Sequence, residues 1–295
     1  MKRVALALGS GGARGWCHIG ALRALKAQGV SPIAVAGCSI GALVGAAWAA
    51  DRLDELEQTA IELTQTGLLR YLDPALETGG VLGGQGVELL FHKLDLPDRI
   101  EDLKHPFVTV ATDLATGKEV WLREGPLIPA VRASMSIPGM LRPVQLNGRW
   151  LIDGGVVNPV PVSAARALGG DAVIAVNPNG RGGKDHWQEH QVPSVWQQLG
   201  AEKLHDQLPK ALTDILPDVT EKQSTPRMLD VLDVTIDILV DFVLATRNAV
   251  DPPDVLLEAD LTDFVTTELY RATEAIAEGF RITEAAKDLI SRRLA

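Results

Sequence analysis

The chain has 295 residues, 46% of them hydrophobic, which is enough to bury a large core as one large α/β domain or two small ones. Its 28 Lys plus Arg against 38 Asp plus Glu leave a formal charge of -10, which repels phosphate polyanions and argues against a nucleic-acid partner. An anionic membrane surface is disfavoured for the same reason, no apolar run reaches membrane-spanning length, and the two cysteines, Cys17 and Cys38, have no metal-ligand spacing.

The N-terminus has a basic start at Lys2 and Arg3, but Gly9 to Gly15 follows the apolar run Val4 to Leu8 where an export signal would continue. A buried strand is therefore expected there, and a reduced, cytoplasmic setting. Gly9 to Gly15 reads as a glycine-rich turn, Trp16 to Gln28 as a helix closed by Gly29, Ile33 to Ala36 as a second strand, and Ser39 to Ala50 as an alanine-rich helix. This βαβα order with short loops predicts an α/β fold, a parallel-sheet core covered by helices on both faces. Further strands are expected at Phe107 to Ala111, Glu119 to Leu122, Arg149 to Ile152 and Ala172 to Val176, with a helix at Val160 to Leu168, so that the sheet ends near residue 177. Asn177 to Pro193, rich in Gly, Asn, Pro and charge, reads as an exposed loop or linker. A long helix follows at Arg227 to Val250, then a short strand candidate at Val255 to Ala259 and two amphipathic helices.

A glycine loop between a strand and a helix first suggests a nucleotide phosphate. The register is wrong for it: counted from Gly9, the last glycine of G-x-G-x-x-G falls on Arg14, and the second strand ends in Ala36 and Gly37 where an acid should hold the ribose. A Walker loop fails as well, since no Gly-Lys-Ser/Thr follows. The same loop can turn its N–H groups into a concavity that stabilises an oxyanion. That use needs a nucleophile, and Ser39 fits: Gly37 and Gly41 permit a sharp strand-to-helix turn that exposes Oγ at a helix N-terminus.

A serine nucleophile needs a base. Asp153 ends the strand candidate Arg149 to Ile152 and precedes Gly154 and Gly155, although Asp-Gly-Gly is equally the composition of a surface turn. Of the six histidines, His186, His190 and His205 lie in or just after the polar linker, His18 reads as a helix-packing residue, and His92 and His105 have no evident partner. A Ser39–Asp153 dyad is the economical reading. The segment Ala133 to Pro138 reads as a structural loop by default and as a site-lining one otherwise, and Cys38 reads as a small buried residue.

With these pieces together the sequence resembles the patatin-like phospholipases, specifically bacterial single-domain members. The resemblance rests on Gly9-Ser10-Gly11-Gly12-Ala13-Arg14-Gly15, Gly37-Cys38-Ser39-Ile40-Gly41, Ala133-Ser134-Met135-Ser136-Ile137-Pro138 with Pro143 after it, and Asp153-Gly154-Gly155, in that order. It implies a three-layer α/β/α core, a Ser-Asp dyad without metal or other cofactor, and hydrolysis of ester bonds in lipids. By position it assigns Ser39 as nucleophile, Asp153 as base, and the backbone of Gly11, Gly12, Ala13 and Arg14 as oxyanion hole. Ser10 stands where the family has the first glycine of its Gly-Gly-Gly run, which leaves Gly11 and Gly12 as donors.

A single patatin-like domain is thus expected over 1–295, with the catalytic sheet core at 1–177, a linker and helical insertion or lid at 178–254, and C-terminal helices packing on the core at 255–295. The expected activity is that of a phospholipase A, lysophospholipase or carboxylesterase; the alternative is a catalytically idle regulatory or lipid-binding protein that keeps the pocket. Transient contact with a membrane surface and a homo-oligomer are compatible with either. On the long helix, Asp230, Asp233, Asp237 and Asp241 stack along one face, which reads as a solvated acidic stripe. Part of the apolar arc beside it, which includes Ile236, Leu239, Val240 and Phe242, is expected to border an acyl pocket, tested at Leu239 and Phe242; the alternative is a lid or a subunit contact.

Overall fold

The structure, a computed structural model, describes residues 2–64, 80–82, 84–180, 186 and 228–295. Strand β1 (Val4–Leu8) leads through the glycine loop and a 3₁₀ turn (Gly12–Trp16) into helix α1 (Cys17–Ala27). Strand β2 (Ala34–Cys38), α2 (Ile40–Ala49) and α3 (Leu53–Glu62) follow, then the short β3 (Gly80–Leu82) and α4 (Gln85–Lys93). Next come β4 (Phe107–Asp113), β5 (Glu119–Leu122), α5 (Leu127–Ser134), β6 (Gly139–Leu141), β7 (Val144–Leu146) and β8 (Arg149–Asp153). Helix α6 (Val162–Ala167), β9 (Ala172–Gly180), α7 (Met228–Val250), β10 (Val255–Asp260), α8 (Ala272–Ala285) and α9 (Lys287–Leu294) complete the order.

The sheet runs β10-β9-β1-β2-β4-β8-β7, with β5 on the other edge of β4. Strands β10, β9, β1, β2 and β4 are parallel, whereas β5 and β8 are antiparallel to β4 and β7 is antiparallel to β8. The sheet is therefore mixed. Alternation sets its two faces: Val4, Leu6, Leu8, Val35, Ile174 and Val176 pack on one side with α1 and α2, while Ala5, Ala7, Ala34, Ala36, Val173 and Ala175 pack on the other with Val162, Ala164 and Ala165 of α6 and Leu244 of α7. The second face carries small side chains, so its helices can lie close to the strands.

Two expectations are corrected. The sheet does not end near 177: β9 continues to Gly180, with Asn177 and Asn179 buried, and β10 adds an edge strand parallel to it. The segment 177–180 is hence buried strand and not exposed loop; its hydrogen bonds to β10 and the glycine loop pair most of the polar groups that made it look solvated.

Helix α8 packs against α1 with the two backbones in close approach at Gly20 and Gly279. A Cβ at Gly279 would collide with the carbonyl of Cys17, and one at Gly20 with the carbonyl of Ile276. Gly279→Val is expected to cost about 3 kcal/mol by overpacking, read as a lowered urea midpoint with an unchanged slope; an unchanged midpoint would show that the crossing is not tight.

Candidate active site

Strand β4 brings the two candidate reacting residues together. Along one of its edges β2 pairs up to Cys38, opposite Val110. The next position of β4, Ala111, pairs with Asp153, where β8 ends running the opposite way. Two strands thus meet end to end on one edge, and the residues that leave them, Ser39 and Asp153, are delivered to the same point. Ser39 Oγ donates to Asp153 Oδ2 at 2.6 Å across 114 residues of chain. Both are buried, at 4% and 5% exposure.

The local backbone enforces this. Ser39 has φ 55 and ψ -124, an unfavourable conformation for a non-glycine residue and the one that a nucleophile elbow uses to present its hydroxyl. Gly37 and Gly41 let the turn pack tightly, since a Cβ on Gly41 would overlap the Leu8 carbonyl. At the other residue, Asp153 caps the short 3₁₀ turn Gly154–Val156, and its Oδ1 accepts the Gly155 N–H at 2.7 Å. Thr112 Oγ1 donates to the Asp153 carbonyl at 2.8 Å. Burial pushes the Asp153 carboxyl up to about 6, against the hydrogen bonds from Ser39, Gly155 and Cys38 that pull it down. It is ionised at neutral pH, yet poised to take a proton.

The glycine loop stands beside Ser39. Its start is clamped: Gly9 N–H donates to Val176 O, Ser10 N–H to Pro159 O, and Asn179 Nδ2 to Ser10 O. His18 supports it from beneath. Burial lowers its pKa to about 4, so the ring is neutral, and Nε2–H donates to Gly9 O at 2.8 Å. Of the four residues expected to form the oxyanion hole, Ala13 donates its N–H to Thr266 O at 2.8 Å and Arg14 donates its own to Gly11 O at 3.2 Å. The N–H groups of Gly11 and Gly12 have no partner among the described residues. Gly12 has φ +55, and a Cβ there would strike Thr266, so this position requires glycine.

Ser10, Gly11, Gly12, Ser39, Asp153 and Gly155 line one small cleft, open to solvent, together with Ile137, Pro138, Val156 and, from α7, Ile236, Asp237 and Val240. The orientation of α7 departs from expectation. Asp237 faces inward and pairs with Arg14 Nη2 at 3.1 Å, which also donates to Thr266 Oγ1 at 3.1 Å. Asp241 lies 3.6 Å from His186 Nε2. The two acids hold the protein, so the stripe is not solvated over these turns; the side chains of Asp230 and Asp233 lie outside the described part. Leu239 and Phe242, 54% and 71% exposed, face away from the cleft, and Ile236 and Val240 border it in their place.

No histidine contact with Ser39 or Asp153 occurs among the described residues. His105 stacks on Trp48 and meets Asp51, His186 meets Asp241, and His190 and His205 lie outside the described residues. Likewise, among the described residues no group of three or more His, Cys, Asp or Glu could hold a metal ion, and no helix is long and apolar enough to cross a membrane. The roles of Asn179, Thr266, His18 and Asp237 are not foreseen from the sequence: three act by contacts far along the chain, and His18 by a bond to Gly9 nine residues away that no local motif announces.

A family model described as patatin-like phospholipase matches residues 6–166. An uncharacterized NTE family protein of Mycobacterium tuberculosis is 44% identical over 195 residues, which are 66% of this chain and 54% of that protein. Human patatin-like phospholipase domain-containing protein 6 is 36% identical over 181 residues, 59% of this chain and 13% of that protein. Among solved structures, VipD from Legionella pneumophila matches with a TM-score of 0.49 and 13% identity, covering 97% of this chain and 66% of that one. The chain spans about half the length of the mycobacterial relative (54%) and a small part of the human one (13%).

The raised Asp153 pKa has a stability consequence. The folded state holds the proton more tightly than the unfolded chain, whose carboxyl titrates near the ordinary value of 3.8. This stabilising contribution is fully present below that value and is lost as pH rises through about 6, a penalty on the order of 3 kcal/mol at high pH. Asp153→Asn, which carries no charge, is expected to be more stable than the parent at pH 8, with a gain that shrinks steadily as pH falls toward 4. Urea unfolding at several pH values checks this, and a pH-independent difference would contradict it.

Proposed function

Because the chain belongs to the patatin-like phospholipase family, we propose that it is a lipid acyl hydrolase in which Ser39 is the nucleophile and Asp153 the general base. The observation that carries this reading is the 2.6 Å hydrogen bond from Ser39 Oγ to Asp153 Oδ2, at the floor of a cleft where two glycine N–H groups are uncommitted.

In the first step Ser39 Oγ attacks the acyl carbonyl carbon while its proton passes to Asp153 Oδ2. The carbonyl oxygen, now anionic, accepts hydrogen bonds from Gly11 and Gly12 N–H, fixed before the reaction by the clamps on the loop. On this reading Ala13 and Arg14 serve as loop anchors rather than donors, since their N–H groups are already bonded. Collapse of the tetrahedral species breaks the ester C–O bond, and Asp153 returns the proton to the leaving alcohol oxygen. The acyl group is then held on Ser39. A water gives its proton to Asp153 and attacks the acyl carbon, and the second collapse releases the fatty acid and restores the Ser39 hydroxyl. The carboxyl's pKa of about 6 suits both directions of transfer.

The cleft wall favours an apolar acyl chain. Ile137, Pro138, Val156, Ile236 and Val240 present hydrocarbon, and Arg14, the cation in the lining, is already paired with Asp237. Helix α7 acts as the wall of the site, the part that an insertion or lid would play.

Hydrolysis of p-nitrophenyl esters and of defined phospholipids by the purified chain tests the proposal. Ser39→Ala and Asp153→Asn are each expected to lose at least about 1000-fold in kcat while remaining folded, and His186→Ala to keep its activity. Substantial turnover by Ser39→Ala would overturn the nucleophile, and a folded but inactive His186→Ala would replace the dyad with a triad. A wild-type chain that hydrolyses no ester would favour the idle, lipid-binding alternative.

A further inference from the structure

The segment Ala133–Pro138 touches both reacting residues from behind, although nothing in the chemistry above uses it except as lining. Ser134, the last residue of α5, is fully buried. Its Oγ lies 2.6 Å from Val110 O and 2.9 Å from Ser39 N. The proton assignment is forced: a carbonyl oxygen can only accept, so the single hydroxyl proton goes to Val110, and a lone pair on Oγ accepts the Ser39 N–H. Two residues on, the Ser136 carbonyl accepts the Asp153 N–H at 2.9 Å.

The place of this hydroxyl in the sheet explains its use. Val110 is the β4 partner of Cys38, the last residue of β2. At Ser39 the chain turns into the elbow, with φ 55 and ψ -124, and its N–H is taken up by the inserted hydroxyl, Ser39 N–H to Ser134 Oγ–H to Val110 O. Without that hydroxyl the Ser39 N–H would be buried and unpaired, which is unfavourable, and the elbow would relax toward a conformation that satisfies it. Relaxation by a few tenths of an ångström moves Oγ relative to Asp153 and to the glycine N–H groups.

We propose that Ser134 is a positioning residue for Ser39, its hydroxyl holding the nucleophile's backbone N–H so that the strained elbow keeps Oγ aligned. It touches neither substrate nor the transferred proton. Its loss therefore lowers the rate of the covalent step and leaves substrate binding and the ionisation of Asp153 as they were. The inference rests on the reading of Ser39 as nucleophile.

The test compares wild type, Ser134→Ala, Ser134→Thr and Thr109→Val. Thr109 is a buried residue of β4, next to Val110, whose Oγ1 has no hydrogen-bond partner among the described residues, so its variant controls for loss of a buried hydroxyl as such. Each protein is assayed for kcat and KM on a soluble p-nitrophenyl ester and for the rate of fluorophosphonate labelling at Ser39, well below its melting temperature. Ser134→Ala is expected to lose about 10- to 100-fold in kcat and in labelling rate, the scale of a small misplacement of a reacting atom. Its KM should stay within about twofold and its pH midpoint should not move. Ser134→Thr, which restores the hydroxyl, should recover most of the rate, and Thr109→Val should match wild type. Should Ser134→Ala fail to fold, Ser134→Cys, with a sulfur that accepts hydrogen bonds weakly, must show the same loss. A wild type that labels at Ser39 beside a folded Ser134→Ala that labels equally fast overturns the positioning role alone. A wild type that takes no label overturns the nucleophile reading, and this inference with it.

Discussion

The site depends on one constraint in the sheet: β2 and β8 share a single edge of β4 and meet end to end, Cys38 opposite Val110 and Asp153 opposite Ala111. Neither strand could deliver its residue to this point if both ran the same way. The parallel β2 carries its C-terminal end upward, and the antiparallel β8 carries its own C-terminal end downward to the same level. The strands that make the sheet mixed are thus the ones that assemble the site. Turns alone could not hold a 2.6 Å contact between residues so far apart in sequence; the hydrogen-bonded register of a buried strand can.

That arrangement concentrates destabilising features. A non-glycine residue at positive φ and a buried carboxylate lie within one small region, and each is unfavourable on its own. The surrounding structure offsets them with redundant ties: the glycine loop is held by Val176, Pro159, Asn179, His18 and Thr266, and the Asp153 backbone by Thr112 and Ser136. Stability is thereby exchanged for preorganisation, because donors and base that are already in place need no reorganisation when charge develops. The Arg14–Asp237 pair ties α7 to the end of the glycine loop, so the wall of the cleft and the loop are directly connected.

What could be read in the sequence follows from the range of the interactions involved. The βαβα opening is a local pattern of glycine spacing and strand alternation, and its strands and helices form where that pattern places them. The direction of β8 is not local, since Arg149 to Ile152 has the same alternation whichever way it runs. The extension of β9 was hidden because Asn177, Pro178 and Asn179 have loop composition, and their burial is satisfied only by β10 and the glycine loop, which lie far away in sequence. On α7 the apolar arc does reach the cleft, through Ile236 and Val240, but the inward turn of Asp237 is not legible locally. An acidic stripe beside an apolar arc suggests that the acids face water, but Arg14, more than two hundred residues earlier, supplies the inward partner for Asp237. The engagement of the Ala13 N–H is likewise a tertiary matter, because its acceptor, the Thr266 carbonyl, lies far away in sequence.

The central claim is that Asp153 activates Ser39 directly. The most direct measurement is the pH dependence of fluorophosphonate labelling at Ser39, followed by peptide mass spectrometry. The account predicts a labelling rate that rises with pH through a single ionisation near 6, the value to which burial pushes the Asp153 carboxyl, and near-complete loss of that labelling in Asp153→Asn. A rate that follows no ionisation near 6, or an Asp153→Asn protein that labels as fast as the parent, would contradict it.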